Sequence, residues 1–229
     1  MKSSDNENPF FTRFQNMRET GKWLLEQRAR RAVEALKKNA FDALYVSDLE
    51  TARAEILNRI PKEAKVGVGG SMTVRQIGVL DTLEERGHVI YDHWRPGLSE
   101  QDALKIRKAH LTCDVFLTST NAVTLEGMLV NTDGIGNRVG AMIFGPGKVI
   151  VAAGANKIVN DLQSALRRIK EIATPKVVRD MDLEVPCAAT GFCVDCNSPM
   201  RACRATVILE RKPFLSDIHV LIVGEDLGF

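Results

Sequence analysis

Four of the five cysteines fall in one stretch, Cys187-Ala-Ala-Thr-Gly-Phe-Cys193-Val-Asp-Cys196-Asn-Ser-Pro-Met-Arg-Ala-Cys203. Gly191, Asn197 and Pro199 within it favour a folded-back loop over a regular element. Such a loop can turn several thiolates toward one point, as a tetrahedral zinc or a cubic iron–sulfur cluster requires. Cys193-Val-Asp-Cys196 is a common knuckle spacing, and Cys187 and Cys203 would complete four thiolates. A zinc ribbon usually has two such knuckles where this chain has one, and the compact cysteine run of bacterial ferredoxins is absent. A [4Fe–4S] cluster, a structural zinc, and free or redox-paired thiols therefore all remain as readings. Cys113 stands alone before an apolar run and reads as a buried, inert thiol.

Two other segments have the residue types for ligand binding. Val66-Gly-Val-Gly-Gly-Ser71-Met-Thr73 is a glycine-rich turn between a strand and a helix. Gly69 and Gly70 can present backbone N–H groups to an anion, and Ser71 and Thr73 can add hydroxyls. The turn lacks the dinucleotide fingerprint and the P-loop lysine, and a tight turn capped by Ser71 explains it equally simply. The second segment runs from Thr118 through Asn121 and Glu126 to Asn131, Asp133, Asn137 and Arg138, directly after an apolar run. Ligands of open α/β sheets collect at such strand ends. Glu126 can serve there as nucleophile, base or anchor for a hydroxyl. Asn131, Asp133, Asn137 and Arg138 can hold a polar or carboxylate ligand, Arg138 by a bidentate grip. Hairpin turns are the plainer explanation of the same glycines and asparagines. His88, His93, His110 and His219 are scattered without ligand spacing, although His93-Trp94-Arg95 can edge a pocket.

These residues need a scaffold, and the bulk numbers permit one. The 229 residues carry 31 bases and 29 acids, a formal charge of +2, which gives no reason to expect a nucleic-acid partner. No run of about twenty apolar residues occurs, so no membrane span is expected. Met1 to Pro9 is polar, without an apolar leader segment, and a cytoplasmic protein is expected. In that compartment clustered cysteines favour ligand or redox roles over permanent disulfides.

The apolar periodicity predicts a helix from about Phe10 to Asn39, with a break at Gly21 and a basic far end that can pack on a second copy in a homo-oligomer. Strands and helices then alternate. Strands are predicted at 43–46, 65–68, 89–91 and 114–118, with helices from Asp48 to about Arg59, after Ser71 to about Leu80, and from Ser99 to about Leu111. Residues 121–154 read as closely spaced strands with little room for helices. Val149–Ala152 reads as a buried strand and Asn156 as the start of a helix ending before Pro175. Two further strands, 205–209 and 218–223, follow the cysteines. The pattern predicts a three-layer α/β domain with a mostly parallel central sheet. It is read as a single domain over 1–229, with an N-terminal helical segment (10–40) and a cysteine loop (185–204).

Several stretches resemble the lactate-utilisation (LUD) domain family. They are Gly67-Val-Gly-Gly-Ser-Met-Thr-Val-Arg-Gln-Ile-Gly78, Phe116-Leu-Thr-Ser-Thr-Asn-Ala-Val-Thr124, Leu129-Val-Asn-Thr-Asp-Gly-Ile-Gly-Asn-Arg-Val139 and Gly145-Pro-Gly-Lys-Val-Ile-Val-Ala-Ala-Gly-Ala-Asn-Lys-Ile158. The resemblance spans about residues 15 to 225. It implies a fold like that of CoA transferases and sugar-phosphate isomerases, and a part in oxidising lactate to pyruvate with iron–sulfur partner proteins. The family's best-known small subunit has no four-cysteine loop, so Cys187, Cys193, Cys196 and Cys203 read as an addition to the family body.

Three functions follow as expectations. The leading one is oxidation of lactate or a related 2-hydroxy acid, a small anionic substrate held by the Gly69–Thr73 turn and the Glu126–Arg138 segment. The fold analogy adds a second, acyl or CoA transfer through Glu126 as nucleophile. The third is a non-catalytic sensing or assembly module stapled by zinc.

Overall fold

The computed structural model describes residues 17–229, so Phe10 and Phe14 of the expected first helix lie outside the described residues. That helix, α1 (Met17–Lys38), passes through Gly21, whose Cβ position faces open space, and the expected break is absent. Next come β1 (Asp42–Val46) and α2 (Leu49–Asn58), the latter capped by Asp48 accepting from the Thr51 N–H. β2 (Val66–Val68) follows. The single helix expected after Ser71 is two, α3 (Met72–Ile77) and α4 (Val79–Glu85). Gly78 divides them in a left-handed conformation with φ of 73°. β3 (Ile90–Asp92), α5 (Glu100–Ala109) and β4 (Val115–Thr118) complete the first half.

The second half begins with β5 (Ala122–Thr124) and β6 (Leu129–Asp133). A helix, α6 (Asn137–Ile143), then stands where only strands were expected. The glycine-rich sequence hides its start, because the cap comes from outside the immediate boundary: the Asp133 carboxylate accepts from the Val139 N–H at 3.0 Å. After β7 (Lys148–Gly154) the chain makes one 3₁₀ turn and a two-residue strand, β8 (Ile158–Val159). The helix expected from Asn156 therefore begins only at α7 (Leu162–Arg168), capped by Asp161. It runs through a π-helical turn (169–173) into α8 (Thr174–Asp180), with Pro175 at its first turn instead of beyond its end. The cysteine segment opens with a short helix, α9 (Pro186–Thr190), and is irregular thereafter. β9 (Ala205–Leu209) and β10 (Ile218–Val223) close the structure.

Six strands form a fully parallel sheet in the order β1-β10-β7-β4-β2-β3. Parallel sheets are covered on both faces, and the residues of these strands divide accordingly. Ile150 and Ala152 of β7, Leu117 of β4 and Leu221 of β10 pack with Ala52 and Ile56 of α2 and with Val74, Ile77 and Leu83. Their neighbours Val149, Val151, Phe116 and Val220 pack on the other face with Ala32 and Leu36 of α1. That second face also meets a smaller sheet, β8-β5-β6-β9, through Val123, Leu129 and Leu209. The result is three layers, as expected. The two strands after the cysteines part company: β9 joins the small sheet and β10 enters the middle of the large one. Among the described residues no helix is long and apolar enough to cross a membrane.

Gly127, in the β5–β6 turn, locks the small sheet against the end of α1. Its φ is +82°, and a Cβ there would lie 2.5 Å from the Ala35 carbonyl oxygen. The neighbouring Asn39 amide donates to the carbonyls of Glu126 and Gly127. Gly127→Ala combines a left-handed backbone with a backbone clash, and is expected to lower stability by about 2–4 kcal/mol, read as a reduced urea midpoint at unchanged slope.

Candidate functional site

The carboxyl ends of five parallel strands open onto one cavity of about 440 Å³. Gly70, Ser71 and Thr73 reach it after β2, His93 and Trp94 after β3, Ser119 to Asn121 after β4, Lys157 after β7, and Gly228 after β10. The chain goes from β2 outward to β3 and then returns to the other side of β2 with β4, so the strand order reverses there. Open α/β sheets form their ligand crevice at such a reversal. The opposite wall comes from the end of β6, with Thr132 and Asp133, and from the cysteine segment, with Pro199 to Ala202 and Arg204.

Lys157 is the residue that sequence reading missed. Its side chain is only 4% exposed, yet its amine lines the cavity. It donates to Thr73 Oγ1 and to Ser119 Oγ, both at 2.9 Å. Each hydroxyl sends its own proton onward, Thr73 to the Leu227 carbonyl and Ser119 to the Thr120 carbonyl. No carboxylate pairs with Lys157 among the described residues. Burial, and then the charges of Arg168 and Arg138, push its ammonium down to about pKa 7. A neutral amine spends both protons on the two hydroxyls, whereas an ammonium has a third proton to offer an incoming acceptor. One clue was legible: Lys157 follows closely on the apolar run Val149–Ala155, where a charged side chain has no reason to sit in a core.

Arg138 holds the site together instead of facing a ligand freely. Its guanidinium donates to Asp133 Oδ1, Asn131 Oδ1, Asn121 Oδ1 and the carbonyls of Ser119 and Thr132. Asp133 is buried and also caps α6, while Asn121 accepts from the Thr132 N–H. The bidentate ligand grip expected of Arg138 is thus taken up within the protein. Asn137, Asn121 and Asp133 still border the cavity, and Asn131 lies fully buried behind it.

The glycine turn divides between packing and cavity. Ser71 caps α3 by accepting from the Val74 N–H. A Cβ at Gly70 would lie 2.7 Å from Trp94, and one at Gly69 would lie 2.6 Å from Phe116. Gly70 borders the cavity and Gly69 does not. Ring packing thus requires a glycine at both positions.

Glu126 does not join this constellation. It sits exposed in the β5–β6 turn, at the far end of the hairpin whose open end, Asn121 and Asp133, borders the cavity. Four residues, three of them in β5, separate it from Asn121, roughly 15 Å of extended chain. The nucleophile role expected of it therefore finds no support from the Lys157 cavity, which Glu126 does not line.

The loop after β3 and helix α5 each add a polar atom without a partner among the described residues. His93 Nδ1 and Arg107 Nε are both buried and find no hydrogen-bond partner among the described residues, and both residues line the cavity. Burial, with Arg107 next, pushes His93 down to about pKa 4, so it is neutral. Trp94 is fixed by its N–H to Asp92 and by Arg75, which grips both Asp92 oxygens and lies 5.0 Å from the indole centre.

Cys187, Cys193, Cys196 and Cys203 are free thiols that line one small second cavity with Lys170 and Thr174. Burial raises the Cys187 thiol, and Cys196, Cys193 and Cys203 raise it further. Among the described residues no three cysteine, histidine or acidic side chains are grouped as a metal-ion site. Cys113 is buried apart from them, and its thiol is pushed up to about 11 by burial, as an inert packing residue should be.

A family model described as LUD domain matches residues 29–223. Among solved structures, the fold resembles the crystal structure of a DUF162 family protein from Deinococcus radiodurans, at 14% identity and a TM-score of 0.50. The alignment covers 87% of this chain and 98% of that one. Comparison with curated proteins gives no match.

Proposed function

Since the chain belongs to the LUD domain family, which is related to lactate utilisation, we propose that its cavity binds a small 2-hydroxy carboxylate, lactate or a larger relative, for oxidation to the 2-oxo acid. The observation that carries this reading is Lys157, a buried amine at the strand ends with two hydroxyls and, among the described residues, no carboxylate partner. A carboxylate supplies the missing counter-charge, and the third ammonium proton supplies its hydrogen bond. Thr73 Oγ1 and Ser119 Oγ, whose own protons go to backbone carbonyls, hold the amine in position for the acid. The cavity exceeds what a three-carbon acid fills, and the neutral His93 and the open Arg107 Nε border the remaining space. That favours longer 2-hydroxy acids as well as lactate. The oxidation breaks the O–H and Cα–H bonds and releases two electrons and two protons. The electrons leave to redox partners of the iron–sulfur class and the protons to water.

Binding should follow the charge of Lys157. An anion needs the ammonium, so affinity is full below about pH 7 and falls as the amine loses its proton above it. Isothermal titration with lactate, pyruvate and longer 2-hydroxy acids is expected to show dissociation constants rising about tenfold per pH unit above pH 7. Binding of sugar phosphates or CoA, with no short carboxylate bound at any pH, would remove this reading.

A further inference from the structure

The cysteine segment is part of the cavity wall. Pro199 to Ala202 and Arg204 line the main cavity, while Cys187, Cys193, Cys196 and Cys203 line the small one behind it. Thr174 borders both. The segment is held to the site by backbone bonds: the Arg204 N–H donates to the Asp133 carbonyl, and β9 pairs with β6 from there onward.

The backbone around the thiols is fixed by arginines. Arg201 donates to the Cys196 carbonyl at 2.6 Å, to the Cys203 carbonyl at 2.8 Å, and to the Asp195 carboxylate. Arg204 donates to the Pro199 and Arg201 carbonyls. Asp195, between the two knuckle cysteines, adopts a left-handed φ of 47°, which aspartate tolerates in a tight turn. So much backbone bonding in a short irregular segment holds the chain that carries the four thiols to one shape.

The four-thiolate donor set suits a metal centre, and the spacing each occupant needs differs. A single tetrahedral zinc requires sulfurs about 3.8 Å apart, given Zn–S bonds of about 2.3 Å. The four thiols line one cavity and none is tied up in a disulfide. A cubic cluster takes one thiolate at each of four separate iron corners, so its ligands converge while standing further apart. The all-thiolate set matches that chemistry, and Lys170 and Arg201 stand beside it as cations against the cluster's net negative charge.

We propose that Cys187, Cys193, Cys196 and Cys203 hold a [4Fe–4S] cluster in the wall of the Lys157 cavity. Such a cluster, when bound, supplies one-electron transfer. Its use in oxidising a 2-hydroxy acid rests on the function proposed above, whereas its presence does not.

The full chain is purified without oxygen from iron-supplied cells, and a second sample is reconstituted with ferrous iron and sulfide. About four iron and four sulfide per chain are expected, with a brown absorption near 400 nm that dithionite bleaches. Cys196→Ser is expected to lose that absorption, with circular dichroism checking its fold. One zinc per chain without iron overturns the proposal. So does a colourless product whose four thiols all react with a thiol reagent after attempted reconstitution. Carboxylate titration of the same samples separates the two ideas. Binding without iron defeats the cluster alone, and iron without carboxylate binding defeats only the substrate.

Discussion

Replacing Lys157 by Met is expected to stabilise the ligand-free protein while removing its affinity for carboxylates. The amine's pKa is about 10.5 in the unfolded chain and about 7 in the folded one. Between those values the unfolded state binds more protons, so wild-type stability rises with pH across that window. Below pH 7 both states are charged, and folding bears the full cost of burying the ammonium, roughly 4–5 kcal/mol. Met fills similar space without that cost. Thr73 and Ser119 keep their onward bonds to Leu227 and Thr120, so little is lost in exchange. The variant should melt about 5–10 °C above wild type near pH 6, with the gap closing toward pH 10. Its carboxylate affinity should fall about 30-fold or more near pH 6, because the charged partner is gone. Equal melting temperatures near pH 6 would show that Lys157 is not strained by burial, and unchanged affinity would show that it is not used in binding.

That residue also shows where sequence reading stops. The parallel strands are legible because burial on both faces demands continuous apolar runs, as in Val149–Ala152 and Ile218–Val223. Their order is not legible. β10 enters between β1 and β7, and no local signal reports such a distant pairing. The polar stretch from Asn121 to Arg138 is visible as a site, but types alone cannot say that Arg138, Asp133 and Asn131 spend their hydrogen bonds on one another. Glu126 looks attractive in the same stretch because a hairpin places neighbours in sequence at opposite ends of a strand pair. Lys157 was overlooked as one base among many, since its meaning comes from what surrounds it in space. The cysteine spacing announces a thiol cluster. Its place in the cavity wall depends on β9 pairing with β6 across the small sheet, as in the Thr132–Thr206 contact.

If Arg138 is a positioning residue, Arg138→Leu should cost stability before anything else. The guanidinium is largely buried and satisfies Asp133, Asn131 and Asn121 together with two carbonyls. Its removal leaves a carboxylate and an amide oxygen buried without that donor, a loss of about 3–5 kcal/mol and a melting temperature about 10 °C lower. Arg138→Lys keeps the charge but not the planar fork, so it should recover less than half of that. Adding Asp133→Asn to Arg138→Leu should be less damaging than the sum of the two changes, because it removes the stranded charge. A ligand clamp predicts the opposite pattern: near-normal melting of the free protein, with the loss confined to carboxylate binding. The distinction reaches Lys157, since Arg138 is one of the charges that keeps its amine near neutrality. Without Arg138 the Lys157 pKa should rise, and the pH at which carboxylate affinity begins to fall should move upward with it. A titration midpoint that stays near pH 7 in Arg138→Lys and shifts upward only in Arg138→Leu would tie the arginine's charge, rather than its geometry, to the lysine's readiness for an anion.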